Sequence, residues 1–439
     1  MSRTQSVSLF GFFSGGMFAV LAVLSVASGA VAEEKPYAGD FLSRSTLTGD
    51  WGGVRDDLAA KGVTFDVNVI QTEQGVVGGG KNSSWEYGGR GDLTLLMDTG
   101  KMGLWPGGFL TAELEGNWGH AVNGYTGALM PVDSAQIYSV PAQDGVALPA
   151  LNFAQFLSEY FGVVVGKLDT IANGDLNEFA HGKGGTQFMN LALNVNPVLL
   201  TTCPYSTLGA GMIILPTKDP KESMVNLSVL SSTGFANTTG FTDISANNMT
   251  IVGQARVRTD FFGLTGHQLV GYSYSNKEFT SLDQRLRFLI ETREALKAKG
   301  SWSFFYNFDQ YLYEARKGSG KGVGIFGRFG ASDGNPNPSN YFFSLGMGGN
   351  GVAASRPHDR FGIGWYYIDV SNLAIKGPLG TREFLRDEQG FEAYYTVALT
   401  PWALLSPNFQ FVHPAQKNTL GGKGVNNATV LGLRLEMAL

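Results

Sequence analysis

The chain is short of cysteine, of histidine and of basic charge, and each shortage closes off a class of protein. The single Cys203 has no partner for an internal disulfide and no metal-ligand companions, so it reads as an inert buried thiol. The five histidines, His120, His181, His267, His358 and His413, are scattered. None stands in a Ser or Cys motif such as G-x-S-x-G. Nucleophilic catalysis needs a nucleophile, a base and an orienting group together, so an enzyme is not expected. No Asp/Asn ladder of the calcium-loop type occurs, and neither a metal nor another cofactor is expected. A formal net charge of −5 and a pI near 5.6 argue against a nucleic-acid partner. Beyond residue 32 there is no run of about 18 apolar residues, so no membrane-spanning helix is available.

The N-terminal stretch is of another kind. Arg3 is followed by an uncharged run over residues 6–32 that contains FAVLAVLSV and ends Ala30-Val31-Ala32, ahead of Glu33 and Glu34. A basic start, an apolar middle and small residues at the end describe a secretory signal peptide over 1–32, removed from the mature chain. Residues 33–62 form an N-terminal segment. Within it GGVRDDLAAKG, at 52–62, predicts a short helix with Leu58 as its main apolar residue and Gly62 as its stop. The remainder, 63–439, has no linker or change of composition that marks a second domain.

What is abundant gives the fold class. Glycine reaches 60 residues and aromatics 12%, a pairing that suits tight turns, strand glycines and interfacial aromatic belts. A hydrophobic fraction of 43% and a mean hydropathy of −0.02 would by themselves read as soluble. A barrel hides in such averages, because its strands alternate lipid-facing and water-facing side chains. That alternation recurs along the chain. Leu431, Leu433, Leu435 and Met437 share one parity, and Gly432, Arg434, Glu436 and Ala438 the other. Thr111, Glu113, Glu115 and Asn117 alternate with Leu110, Ala112, Leu114 and Trp118. About sixteen such segments can be marked, roughly 25 residues apart once the leader is removed. The expected fold is all-β: a transmembrane antiparallel barrel of about 16 strands, with a short N-terminal helix on the periplasmic side and inward or long extracellular loops. Residues 119–150, rich in Gly, Pro and polar residues, read as one such long loop.

Several long motifs then appear in order. They include LTGDWGGVRDDLAAKGV at 47–63, YGGRGDLTLLMD at 87–98 and FAQFLSEYFGVVVGKLDT at 153–170. GDLNEFAHGKG follows at 174–184, with GIFGRFGASDGNPNP at 324–338 and RPHDRFGIGWYY at 356–367. Through these the chain resembles the carbohydrate-selective porins of the OprB family over nearly its whole mature length. The resemblance implies passive diffusion of sugars, chiefly monosaccharides such as glucose, across the outer membrane of a Gram-negative bacterium. The partners implied are sugars, outer-membrane lipid and lipopolysaccharide. A homotrimer is common among porins, and nothing in the sequence separates it from a monomer. Many outer-membrane barrels end on an aromatic residue; this chain ends Met437-Ala438-Leu439.

A sugar-selective pore needs donors and acceptors that replace water, and charged side chains make strong hydrogen bonds to hydroxyls. Strand parity picks Arg90, Asp92, Glu113, Glu115, Asn117, Arg256, Arg258, Arg328 and Arg360 as pore-lining candidates. For most of them the plainer reading is a hydrated or paired lumen charge. Lys167, Asp169, Asp175, Asn177 and Glu178 sit around the third motif and read either as a pore-narrowing loop or, preferably, as its hydrogen-bonded support. The arginines keep a phosphate or general anion pore open as the alternative, against which Asp92, Glu113 and Glu115 weigh. Trp118, Trp302, Trp365 and Trp402 read as interfacial residues.

Overall fold

The computed structural model describes residues 37–136, 145–171, 175–378, 380–419 and 421–439. The leader expected at 1–32 lies outside them. Helix α1 (Val54–Ala60) ends where Gly62 adopts a φ of 86°, and a Cβ there would stand 2.6 Å from the Asp98 carbonyl oxygen. Only glycine fits both the left-handed backbone and that close approach.

Strands follow as the alternation predicts. They are β1 (Val63–Gly80), β2 (Trp85–Asp98), β3 (Gly108–Gly119), β4 (Gly145–Ser158), β5 (Phe161–Asp169), β6 (Ser206–Ile214), β7 (Ser223–Ser231), β8 (Met249–Thr259) and β9 (Gly266–Thr280). Then come β10 (Asp283–Arg285), β11 (Lys297–Glu314), β12 (Gly322–Ser332), β13 (Ser339–Asn350), β14 (Arg360–Val370), β15 (Ala374–Gly377) and β16 (Gly380–Glu383). The chain finishes with β17 (Glu388–Thr400), β18 (Ala403–His413) and β19 (Asn426–Ala438). Sixteen of these close one barrel, while β10, β15 and β16 form a small separate sheet in the connections. The barrel is sealed by β1 on β19, with Thr72 opposite Arg434 and Ile70 opposite Glu436. A closed ring leaves no unpaired sheet edge, which is what a strand structure in lipid requires.

Register fixes which side chains share a face. Between β1 and β2, Phe65 faces Leu95 and Val67 faces Leu93 on the outside, while Asp66 faces Thr94 and Asn68 faces Asp92 on the inside. Leu114, Val163, Val165, Met212, Leu227, Ile251, Phe343, Trp365, Leu431 and Leu433 are all exposed on the outer surface. So broad an apolar belt belongs against lipid. Trp302 and Trp365 lie on it. No helix among the described residues is long and apolar enough to cross a membrane.

The short turns, such as residues 159–160 and 401–402, lie at the end that also holds the N-terminal segment and the last strand's end. There Leu47 donates its backbone N–H to Ala438, and Arg55 donates to the Leu439 carbonyl. The longer connections lie at the other end. The loop expected over 119–150 is shorter than that, because β4 begins at Gly145. Residues 145–150, GVALPA, carry no polar alternation, since the inward Ala147 and Ala150 are buried by protein rather than wetted.

The main apolar core lies inside the barrel. Of the connection between β5 and β6, the described residues 170–171 and 175–205 leave the wall and cross the interior. Its Phe179, Phe188, Leu193 and Val198 are buried together with Phe305, Phe326, Phe342 and Tyr366 of the strands. The connection between β3 and β4 also turns inward. Asp133 accepts from Thr72 of β1 at 2.9 Å, and Ser134 donates its N–H to the Met189 carbonyl of the crossing segment.

Candidate functional site

Irregular backbone at membrane depth is tolerated only where protein or a water-filled cavity satisfies its polar groups. The crossing segment has short helices at most, α2 (Leu191–Asn194) being the longest α-helical run, so most of its partners come from the wall. Arginines of the wall take its carbonyls and carboxylates of the wall take its amides. Arg328 of β12 donates to both oxygens of Asp175, at 2.6 and 2.7 Å, and to the carbonyls of Leu193 (2.7 Å) and Ala180. Arg434 of β19 donates to the carbonyls of Gly184 (2.8 Å) and Gln187 (2.7 Å). Glu392 of β17 accepts the N–H groups of Met189 (2.7 Å) and Asn190 (2.8 Å). Four residues earlier on the same strand, Glu388 does the same for Leu129 and Met130 of the other inward connection and for Ala415. Burial pushes the Asp133 carboxyl up to about 6, against the hydrogen bonds from Thr72 and Ala135 and the charges of Arg434 and Arg90.

Where the segment turns past β2 and β3 it delivers Lys183. The ammonium donates to Glu113 at 2.6 Å, Glu115 at 2.9 Å and Asp169 at 3.0 Å. Tyr205 donates its hydroxyl to Glu115 at 2.6 Å. Arg90 pairs with Asp92 at 3.0 Å and donates to the Lys183 carbonyl at 2.9 Å. Burial alone would lower the lysine's pKa, but Asp169, Glu113 and Glu115 outweigh it and hold the ammonium well above the ordinary lysine value. Carboxylate oxygens of Asp92, Glu113 and Glu115 all lie within 4.8 Å of one another, a spacing that would suit a cation. The cation the fold supplies there is Lys183.

On the far wall the segment is seated by shape. A Cβ at Gly324 would meet Phe179 at 2.4 Å, one at Gly348 would meet Phe179 at 2.9 Å, and one at Gly364 would meet Leu193 at 2.9 Å. At Gly362 it would meet Phe188 at 2.8 Å. These inward-facing glycines of β12, β13 and β14 form a lane into which the segment's apolar side chains press. Phe188 also packs on Phe326 and Tyr394, with ring centroids 5.5 and 5.0 Å away.

A sixteen-stranded barrel narrowed by an inward connection is porin architecture, and the sequence identifies which kind. The family model described as carbohydrate-selective porin, OprB family, matches residues 82–439. The chain belongs to the OprB family. Its fold is also that of solved relatives. The high-pH structure of Pseudomonas putida OprB has a TM-score of 0.75 at 20% identity, covering 90% of this chain and 98% of that one. The low-pH structure of the same protein gives 0.54 at 16% identity over the same shares. DcaP, an outer membrane channel of Acinetobacter baumannii, gives 0.50 at 9% identity, covering 86% of this chain and 97% of that one. No curated protein sequence matches the chain. Family and fold are those of an outer-membrane channel rather than an enzyme.

The sequence-derived candidates of this porin fall into distinct places. Arg90, Glu113 and Glu115 are buried in the Lys183 cluster, and Asn117 is buried one register position from it, opposite Arg90. Arg328 is wholly engaged by the segment, and Arg256 donates to the carbonyls of Lys221 and Leu176 at 2.9 and 3.4 Å. Arg258 sits at the end of β8 with Glu222 and Asp260, away from the segment. Asp92 and Arg360 keep part of their surface exposed, and Arg360 enters no ion pair among the described residues. Of the expected supports, Asp169 and Asp175 hold Lys183 and Arg328, and Asn177 donates to Asn307 at 2.7 Å. Lys167 donates to the carbonyls of Ala236 and Thr238, outside the segment, and Glu178 is exposed with Tyr311 donating to it at 3.4 Å. Sequence reasoning missed Lys183, Tyr205, Glu388 and Glu392 as members of the site. Lys183 stands in the GDLNEFAHGKG motif, but its partners Glu113 and Glu115 lie 70 and 68 residues away in sequence.

Proposed function

We propose that this porin is a passive channel for small neutral carbohydrates, monosaccharides such as glucose, and that solute passes the tip of the crossing segment near Arg360, Asp92 and Glu436. The observation that carries this is the mixed sign of the polar groups left with capacity there. Arg360 carries no ion-pair partner among the described residues. Glu436 lies beside Gly185 of the segment, in electrostatic reach of Arg360 and Asp92. The buried Glu436 Oε2 and Asp92 Oδ1 atoms have no hydrogen-bond partner among the described residues. A guanidinium and carboxylates in one opening suit a hydroxyl-rich neutral solute, whereas an anion would be repelled by the latter. The outer apolar belt supports contact with outer-membrane lipid and lipopolysaccharide. Export by the 1–32 leader and assembly as a homotrimer complete the proposal.

The test is planar-bilayer recording of the purified protein. Discrete conductance steps should fall as glucose is added, and Arg360→Ala should weaken that block several-fold. Block by phosphate with no response to glucose would replace this reading with an anion pore.

A further inference from the structure

Four carboxylates of the β2, β3 and β5 wall, Asp92, Glu113, Glu115 and Asp169, converge on two cationic groups among the described residues, Arg90 and Lys183. Arg90 belongs to the wall itself. Lys183 is brought in by the crossing segment, from 68 residues beyond Glu115 in sequence. Its ammonium lies between Glu113, Glu115 and Asp169 at 2.6, 2.9 and 3.0 Å. Asp92, whose carboxylate lies within 4.8 Å of the two glutamates, has 13% of its side chain exposed, so the cluster borders the open interior.

We infer that Lys183 is a specificity-determining residue of this porin: its ammonium cancels a carboxylate cluster that would otherwise make the pore cation-selective, and so keeps the passage suited to uncharged solutes. The physical argument is one of dielectric. Charges set in a protein wall act across the adjoining lumen with little screening, and a cleft lined by one sign concentrates ions of the other. With the ammonium removed, Arg90 would be the one cation of this cluster left among the described residues, against four carboxylates. Anchoring does not by itself call for a charge at this position. The segment is held independently by Arg328, Arg434 and Glu392, and on the far wall it is seated by apolar side chains against glycine. Tyr205 on Glu115 and Arg90 on the Lys183 carbonyl fix the ammonium among the carboxylates.

This inference rests on the channel reading above, and the experiment separates the two. Reversal potentials are measured in a KCl gradient across a planar bilayer for the full mature protein and for two oppositely charged changes. Lys183→Met should raise the permeability ratio of K⁺ over Cl⁻ by roughly five- to tenfold. Glu113→Gln combined with Glu115→Gln, which leaves Lys183 in place, should move the ratio the other way. A segment that has merely come loose would widen the pore and weaken selectivity in both variants alike, so opposite shifts support the inference. Shifts of the same sign, or none in barrels that conduct, overturn it while leaving the channel reading intact. If Lys183→Met does not assemble, the double glutamine variant decides: movement toward Cl⁻ supports the inference, and an unchanged ratio overturns it. A wild-type barrel without conductance overturns both readings.

Discussion

The crossing segment meets two walls of one barrel on different terms. Against β2 and β3 it is met by charge: Lys183 among Glu113, Glu115 and Asp169, with Arg90 and Asp92 beside them. Against β12, β13 and β14 it is met by glycine: Gly324, Gly348, Gly362 and Gly364 lie under Phe179, Phe188 and Leu193, and Arg328 is the main charged contact. The difference separates two tasks. Apolar packing into a lane of glycines fixes position, because close-packed surfaces tolerate little shift. A charged cluster fixes position less sharply but sets the field that a passing solute meets.

That contrast can be broken at graded strength. The largest effect is expected for Arg328→Met, which strands Asp175 and three segment carbonyls in the barrel interior. Removing one partner of a buried ion pair costs about 3–5 kcal/mol. The thermal unfolding midpoint in detergent should fall accordingly, and single-channel conductance should rise as the segment loosens. Next is Gly324→Ala, where the new methyl would lie 2.4 Å from Phe179 and 2.5 Å from the Gln310 carbonyl oxygen. Overpacking of this kind costs about 1–3 kcal/mol. The same melting measurement should show it, and conductance should change while the K⁺ to Cl⁻ ratio stays near wild type. An altered ratio in this variant would blur the division between the two walls. The smallest effect is expected for Glu392→Gln, which keeps one acceptor for the amides of Met189 and Asn190 but loses the charge. A loss of about 1 kcal/mol is expected, read as a small drop in melting midpoint with selectivity preserved.

Much of the barrel was legible because alternation is a local signal wherever the inner face is polar. Thr111, Glu113, Glu115 and Asn117 declared the inside of β3, and Arg434 and Glu436 the inside of β19. The signal failed where the inner face is covered by protein. Ala147 and Ala150 of β4 face in but are apolar, so its first residues read as loop. Met224, Val252 and Leu269 are buried within the interior core for the same reason. The site was legible in its members more than in its arrangement. Arg90, Arg328 and Asp175 were chosen by parity and motif, yet their partners are Lys183, Leu193 and each other, set by how the segment lies. Lys183 could not be chosen from spacing, since it meets Glu113 across 70 residues of chain.

The sequence by itself determined that strands of alternating face close into a barrel, because a period of two is written residue by residue and lipid accepts no open edge. It also determined the family, whose model matches residues 82–439. Only the tertiary structure decided which lumen charges remain available. That depends on where an irregular segment crosses the interior, and its backbone groups and Lys183 engage wall residues that parity alone had left facing water.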